Sequence, residues 1–212
     1  LPPDINESDD GFTDTGHSIR FGLAAVKGIG RGFIRSVMAE RQRGGLFTSF
    51  RDFCERMCGP ELNKRAAECL IKAGAFDSLG AGRNQLLAIY IGLMDNIQSD
   101  RRGNLDGQFD LFGGTEQVED LELPKLPELT AREKMLMERE VTGLYLSGHP
   151  MDDYRAQVRQ AGAAPLADIM AAFEGGEETG AYKDGQNVLV AGVVSAFKTK
   201  TTKNNSLMAY VT

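Results

Sequence analysis

The chain has 212 residues, of which 42% are hydrophobic and 25% charged, with a formal net charge of −6. This is ordinary globular usage, long enough for one or two domains with a real core. No apolar run approaches the ~20 residues that a membrane helix needs. The opening Leu1-Pro2-Pro3-Asp4-Ile5-Asn6 has neither a basic leader nor an apolar segment, so no signal peptide and no membrane association are expected. It also lacks Met, so the chain reads as a piece of a longer protein.

Cys54 and Cys58 are four apart and would share one helix face, which invites a metal reading. Zinc takes about four ligands, and neither His17 nor His149 is near in sequence. The thiols, with Cys69, are read as buried or idle, no metal site is expected, and a reducing cytoplasm fits best.

Charge is unevenly placed. Residues 1–16 carry five acids and no base, whereas His17 to Arg83 holds twelve Lys/Arg against six Asp/Glu. Residues 84–140 return to six bases against twelve acids. Placement decides where an anionic polymer can sit, so the basic block is a candidate DNA face.

In chain order, Ile19 to Val26 reads as an apolar helical stretch. Gly32 to Arg43 follows, with Phe33, Ile34, Val37 and Met38 on one stripe and Gly44-Gly45 as a stop. Ser49 to Met57 is a short helix with Phe50 and Phe53 inward. Asn63 caps a helix to Ala73, with Leu62 as staple and Gly74 beyond its end. Arg83 to Gln98 is the clearest helix, with Leu86, Leu87, Tyr90, Ile91, Met94 and Ile97 on its apolar face. Polar residues, glycines, Pro124 and Pro127 make 99–128 a linker. Thr130-Ala131-Arg132-Glu133 is a capping box for a helix ending near Gly143. Asp152 starts another, with Tyr154 and Val158 inward and Gly162 at its end. Asn187 to Lys200 and Leu207 to Val211 read as two strands across Asn204-Asn205, with the other strands of their sheet missing.

Between the first two helical stretches lies Lys27-Gly28-Ile29-Gly30-Arg31-Gly32. Two glycines around one aliphatic residue make a tight bend, with Ile29 plugging back into the core. The bend's N–H groups and the positive end of the next helix then face outward together, which suits a phosphate, and Lys27, Arg31 and Arg35 add charge. A dinucleotide-binding turn would need the third glycine one residue later and a βαβ unit. A purely structural helix turn is the remaining alternative. A weaker second copy follows at Gly74-Ala75-Phe76-Asp77-Ser78-Leu79-Gly80, where Asp77 would sit poorly beside a phosphate and the bend is more scaffold than contact.

Several landmarks fall in order: Ile19-Arg20-Phe21-Gly22-Leu23 with Lys27-Gly28-Ile29-Gly30, Leu62-Asn63-Lys64-Arg65 with Gly74-Ala75-Phe76-Asp77, and Gly143-Leu144-Tyr145-Leu146-Ser147-Gly148-His149-Pro150. Together they resemble the alpha subunit family of bacterial DNA polymerase III across nearly the whole chain. The resemblance implies a mainly α fold, a tandem helix-hairpin-helix domain followed by small helices and an incomplete OB-type β segment. The implied divisions are 1–16 as the end of the fingers region, 17–98 as the hairpin domain, 99–128 as a clamp-binding linker, 129–180 as a helical connector and 181–212 as the first OB strands.

The resemblance also implies duplex DNA, other replicase subunits and the sliding clamp as partners. In the family the linker position holds a Gln followed by a Leu-Phe-type pair, here Gln108-Phe109-Asp110-Leu111-Phe112. Exposed Leu111 and Phe112 on an acidic linker are natural anchors for a pocket, with Gln108 at its rim. The alternative is a loop folding Phe109 and Phe112 onto its own domain. Lys198, Lys200 and Lys203 surround the first β hairpin, where OB folds often meet single strands. The family's polymerase chemistry uses magnesium and deoxynucleoside triphosphates held by palm carboxylates. No part of this chain matches them, so no cofactor and no catalytic residue are expected in the segment. Two other readings stay open. A DNA-repair nuclease or ligase fragment would require a carboxylate cluster or nucleophilic Lys not evident here, and a protein-interaction module would make the bend purely structural.

Overall fold

The computed structural model describes residues 1–59, 62–105, 123–174 and 182–212. Among them, helices begin where the sequence supplies caps. α1 (Arg31–Gly44) follows Gly30 without a side-chain cap. α2 (Phe50–Met57), α3 (Lys64–Ala73) and, beyond α4 (Arg83–Leu105), α5 (Ala131–Thr142) follow Ser49, Asn63 and Thr130. The oxygens of those three side chains accept from the amides of Asp52, Ala66 and Glu133, groups that a helix start otherwise leaves without partners. The capping box at Thr130 and the ends of α3 and α5 at left-handed Gly74 and Gly143 are as the sequence predicts.

These helices belong to a unit spanning Leu1–Gly148. Its core joins Phe33, Ile34 and Val37 of α1 to Phe50 and Phe53 of α2, Leu70 and Ile71 of α3, and Leu86, Tyr90, Leu93 and Ile97 of α4. Phe47 and Phe53 meet nearly edge-on at 5.1 Å, as do Phe50 and Phe76 at 4.9 Å. The α4 seam differs from the predicted stripe. Leu86, Tyr90, Leu93 and Ile97 repeat at four- and three-residue steps along one line, so Leu93 is buried, whereas Ile91 is rotated out of that line and is 48% exposed.

The predicted end of this helix at Gln98 is corrected: α4 runs on to Leu105. Arg101 explains the extension, because its guanidinium donates to the carbonyls of Cys58 at 2.7 Å and Glu55 at 2.6 Å. Those carbonyls close the C-terminal end of α2, where helical acceptors lack donors and the dipole favours a cation. Residues 123–128 lie beside the start of α4, with Gln85 donating to the Pro124 carbonyl at 2.9 Å and Asn84 to that of Pro127. The clamp-motif residues Gln108, Phe109, Asp110, Leu111 and Phe112 lie outside the described residues.

A second correction concerns Ile19 to Val26, predicted as helix. Ile19–Arg20 is a strand, β2, paired antiparallel with β1 (Thr13–Asp14), and Leu23–Ala25 is a single 3-10 turn. Tertiary pairing overrides the local apolar pattern here. The amides of Phe21, Leu23 and Ala24 donate to Leu1, Asp9 and Asp10 carbonyls at 3.0, 2.9 and 3.1 Å, and Gly22 lies against the Gly11 backbone with no room for a Cβ. The first residues are tied into the same unit. Ile5 is fully buried with its amide on the Ala75 carbonyl at 2.8 Å, and the Asn6 side chain grips both the N–H and C=O of Phe47.

The second unit, His149–Thr212, holds a 3-10 turn at Asp152–Tyr154, α6 (Arg155–Gln160), α7 (Leu166–Glu174), and the antiparallel hairpin of β3 (Phe197–Thr201) and β4 (Leu207–Val211). Tyr154, predicted to point inward, is 53% exposed. The predicted strand from Asn187 shortens to Phe197–Thr201. Val-rich composition favours extended backbone, but a strand also needs a ladder partner, and β4 is long enough to serve only the final residues. Among the described residues, no helix is long and apolar enough to cross a membrane.

Candidate nucleic-acid interface

The bend between the 3-10 turn and α1 is closed from below. The Lys27 amide donates to the Val141 carbonyl of α5 at 2.7 Å, and Gly28 then turns into left-handed backbone at φ +79°. Ile29 is half-buried and packs on the main core and on a small cluster of Val26, Ala73 and Val141, which is the plug the sequence predicts. Gly30 returns to extended backbone, and its carbonyl accepts the first α1 amide, that of Ile34, at 3.1 Å. Among the described residues, the amides of Gly28, Gly30, Arg31 and Gly32 have no acceptor and these residues are exposed, whereas half-buried Ile29 closes a turn over Lys27 and Gly28. Unused donors at the positive end of a 14-residue helix are groups an anion can use.

Charge pairing singles out the same place. Of the twelve basic residues between His17 and Arg83, eight have a carboxylate partner: Arg20, Arg41, Arg43, Arg51, Arg56, Lys64, Lys72 and Arg83. Among the described residues, the remaining four have none, and they are Lys27, Arg31, Arg35 and Arg65. Three flank the bend in sequence. Arg65 comes from the first turn of α3, and its Nε lies 3.7 Å from where a Cβ on Gly28 would stand. Lys27 Nζ donates to the Glu140 carbonyl at 3.0 Å, which fixes the side chain without neutralising it. Lys72, by contrast, sits between Glu140 and Glu68, whose carboxylates hold its ammonium above its ordinary pKa, so its charge is already matched.

The second bend is built differently. The amides of Gly74, Ala75, Asp77 and Leu79 donate to backbone carbonyls, and that of Gly82 to the Gln85 side chain. Asp77 occupies the outward position, paired at 2.7 Å with Arg83, which is itself 3% exposed. With these donors occupied and a carboxylate at its outer side, this bend offers an anion less than the first one does.

Arg65 and α5 are the parts of the site that sequence reasoning missed. No spacing rule links residue 65 to residue 28. One signal was present, because Lys64-Arg65 opens α3 where the helix dipole favours acids, and α3 has none in its first turn. In the second unit, Lys198 and Lys200 share one face of β3, in register with Tyr210 and Met208 of β4, and Lys203 stands in the connecting turn. Cys54 is buried and its thiol is pushed up to about 12 by that burial. Among the described residues, no group of His, Cys, Asp or Glu has the arrangement of a metal site.

Comparison with known proteins adds to this geometry. The helix-hairpin-helix motif family matches residues 1–86. Over 209 residues the chain is 38% identical to the DNA polymerase III subunit alpha of Neisseria meningitidis serogroup B, an alignment covering 98% of this chain and 17% of that protein. The subunit alpha of Mycobacterium leprae is 37% identical over 96% of this chain and 17% of its own length. That of Saccharopolyspora erythraea is 38% identical over all of this chain and 18% of its own. The chain therefore spans under a fifth of the length of these relatives.

Proposed function

We propose, from the premise that this chain belongs over its length to the DNA polymerase III alpha-subunit family, that it is the part of a replicative polymerase that holds duplex DNA by its backbone and tethers the sliding clamp. The observation that carries the DNA half is the coincidence of the unused amides of Gly28, Gly30, Arg31 and Gly32 with the four cations of the basic block that have no carboxylate partner among the described residues. Amides and cations contact phosphates rather than base edges, so holding is independent of sequence and weakens as salt rises. Lys27, Gly28, Ile29, Gly30, Arg31 and Arg35 form the contact, joined by Arg65 from α3.

The clamp half rests on Gln108-Phe109-Asp110-Leu111-Phe112, a rim-and-anchor pattern placed directly after α4. Lys198, Lys200 and Lys203 are assigned to single-strand contact on an OB-type sheet that β3 and β4 begin. Polymerisation itself, with its magnesium and deoxynucleoside triphosphates, is assigned to palm carboxylates elsewhere in the parent protein; other replicase subunits are contacted through the parent chain, and the setting is the cytoplasm.

The test is a pair of titrations on one set of variants. Charge reversal at Lys27, Arg31 and Arg35 should remove binding to duplexes of unrelated sequence and leave clamp binding intact. Leu111→Ala with Phe112→Ala should do the converse. DNA binding that survives the reversal, or that depends on sequence and not on salt, would contradict the first half. Clamp affinity unmoved by the alanines would contradict the second.

A further inference from the structure

The matched helix-hairpin-helix motif ends at residue 86, yet the bend is completed by a helix that begins at Ala131. The Lys27 amide, at the entry to the bend, finds its acceptor on Val141, and the Lys27 ammonium finds its own on Glu140. Val141 is 3% exposed and wedges with Ala73 under Val26 and Ile29. The height and tilt of the bend therefore depend on where the last turn of α5 sits.

That turn is held by Glu138, whose side chain is fully buried. One carboxylate oxygen lies 3.0 Å from the Arg83 guanidinium of α4. The other accepts the amides of Leu146 and Ser147, both at 2.9 Å, and the Ser147 hydroxyl at 3.0 Å. A buried carboxylate with donors on both oxygens has one low-energy position. It fixes α5 against α4 on one side and folds Leu146-Ser147 back over α5 on the other. We infer that the last turn of α5 is a working part of the DNA-holding bend and that Glu138 is the residue that positions it. This rests on the proposed DNA contact, and Glu138 itself touches no DNA.

The test uses the whole chain with two variants. Glu138→Gln keeps the volume and one acceptor but not the charge. Ser147→Ala removes a single bond from the same carboxylate and keeps the chain folded should the first variant not. Two quantities are read where circular dichroism shows native helix content: affinity for a mixed-sequence duplex, and amide hydrogen exchange at Lys27 compared with Phe53, whose amide is bonded to the Ser49 carbonyl at 3.0 Å in α2. The expected result is roughly a tenfold loss of DNA affinity for Glu138→Gln and a smaller one for Ser147→Ala. Exchange should speed up at Lys27 and not at Phe53. Equal acceleration at both amides would reduce Glu138 to general stability, and unchanged Lys27 exchange in both variants would overturn the positioning role. If neither the native chain nor the variants bind DNA while Lys27 exchange still responds, the proposed DNA contact fails and the positioning of the bend stands.

Discussion

Arg65 Nε stands 3.7 Å from the place a Cβ would take on Gly28, across a gap of 37 positions in the chain. The two residues come from elements with no sequence pattern in common, a glycine bend and the first turn of a capped helix. Their meeting brings a cation of α3 beside the glycine bend. It also separates the two glycines of the bend by what each tolerates.

Gly28 holds φ +79°, which an L side chain adopts at a cost of about 1–2 kcal/mol, although the space around it is ordinary van der Waals distance from Cys69 and Arg65. Gly30 is in extended backbone, and a Cβ there would meet nothing within 4 Å. Gly28→Ala should therefore lower stability by about 1 kcal/mol or more in urea unfolding and weaken DNA binding. Gly30→Ala should cost less, under about 1 kcal/mol, because Ala is a poorer N-cap than Gly but also lowers the entropy of the unfolded chain. Equal costs at both sites would show that the left-handed turn at Gly28 is not the constraint.

The buried pair of Arg83 and Glu138 makes a second contrast. Removing one partner, as in Glu138→Ala, should cost on the order of 3 kcal/mol in denaturant unfolding, because Arg83 keeps only the half-exposed Asp77 and the amides of Leu146 and Ser147 lose their acceptor. Replacing both by apolar residues often restores stability. Here it should not, because the amides of Leu146 and Ser147 would lose their acceptor as well. Full recovery in the Arg83→Met, Glu138→Leu double variant would show that those amides find other partners.

Much of the frame is legible in the sequence, and the exceptions share a cause. The caps at Asn63 and Thr130 and the apolar plug Ile29 follow from local chemistry, and the fold has each in its expected place. Ile19 to Val26 departs from its helical pattern because its amides are claimed by residues 1–10, a long-range competition that periodicity does not record. The end of α4 lies beyond its expected place because Arg101 is a polar residue whose partners are the carbonyls of another helix. The site is half legible: Lys27, Arg31 and Arg35 adjoin the bend in sequence, whereas Arg65 and Val141 reach it only through packing.

Acid should loosen α5 at its start. The Thr130 hydroxyl and then its backbone amide hold the Glu133 carboxyl below its ordinary value of 4.5. A lowered folded-state pKa means that this contribution is complete above the unfolded value and is lost as pH falls through the folded one. The effect belongs below about pH 4.5. Glu133→Gln should make stability flatter with pH in that window and leave it unchanged in slope at neutral pH. An acid limb identical to that of the native chain would remove the capping box as its source.

The Cys54 thiol, pushed up to about 12 by burial, should resist alkylation at pH 8, because the thiolate is the reactive form. Mass spectrometry of iodoacetamide-treated protein should show Cys54 modified only at the rate of unfolding, after half-buried Cys58 and Cys69. Modification of Cys54 at the rate of a free thiol would mean that α2 opens far more often than its packing implies.

The DNA contact at the bend is tested most directly by the salt dependence of duplex binding in two variants with the same change of net charge, Arg65→Glu and Arg43→Glu. Arg43 is exposed and already paired with Glu40, whereas Arg65 faces the bend. For Arg65→Glu the slope of log affinity against log salt should fall by about one, the loss of roughly one phosphate contact, together with the affinity itself. Arg43→Glu should leave the slope nearly unchanged. Equal losses from the two variants would mean that only overall charge matters and that the Gly28–Gly30 bend holds no DNA.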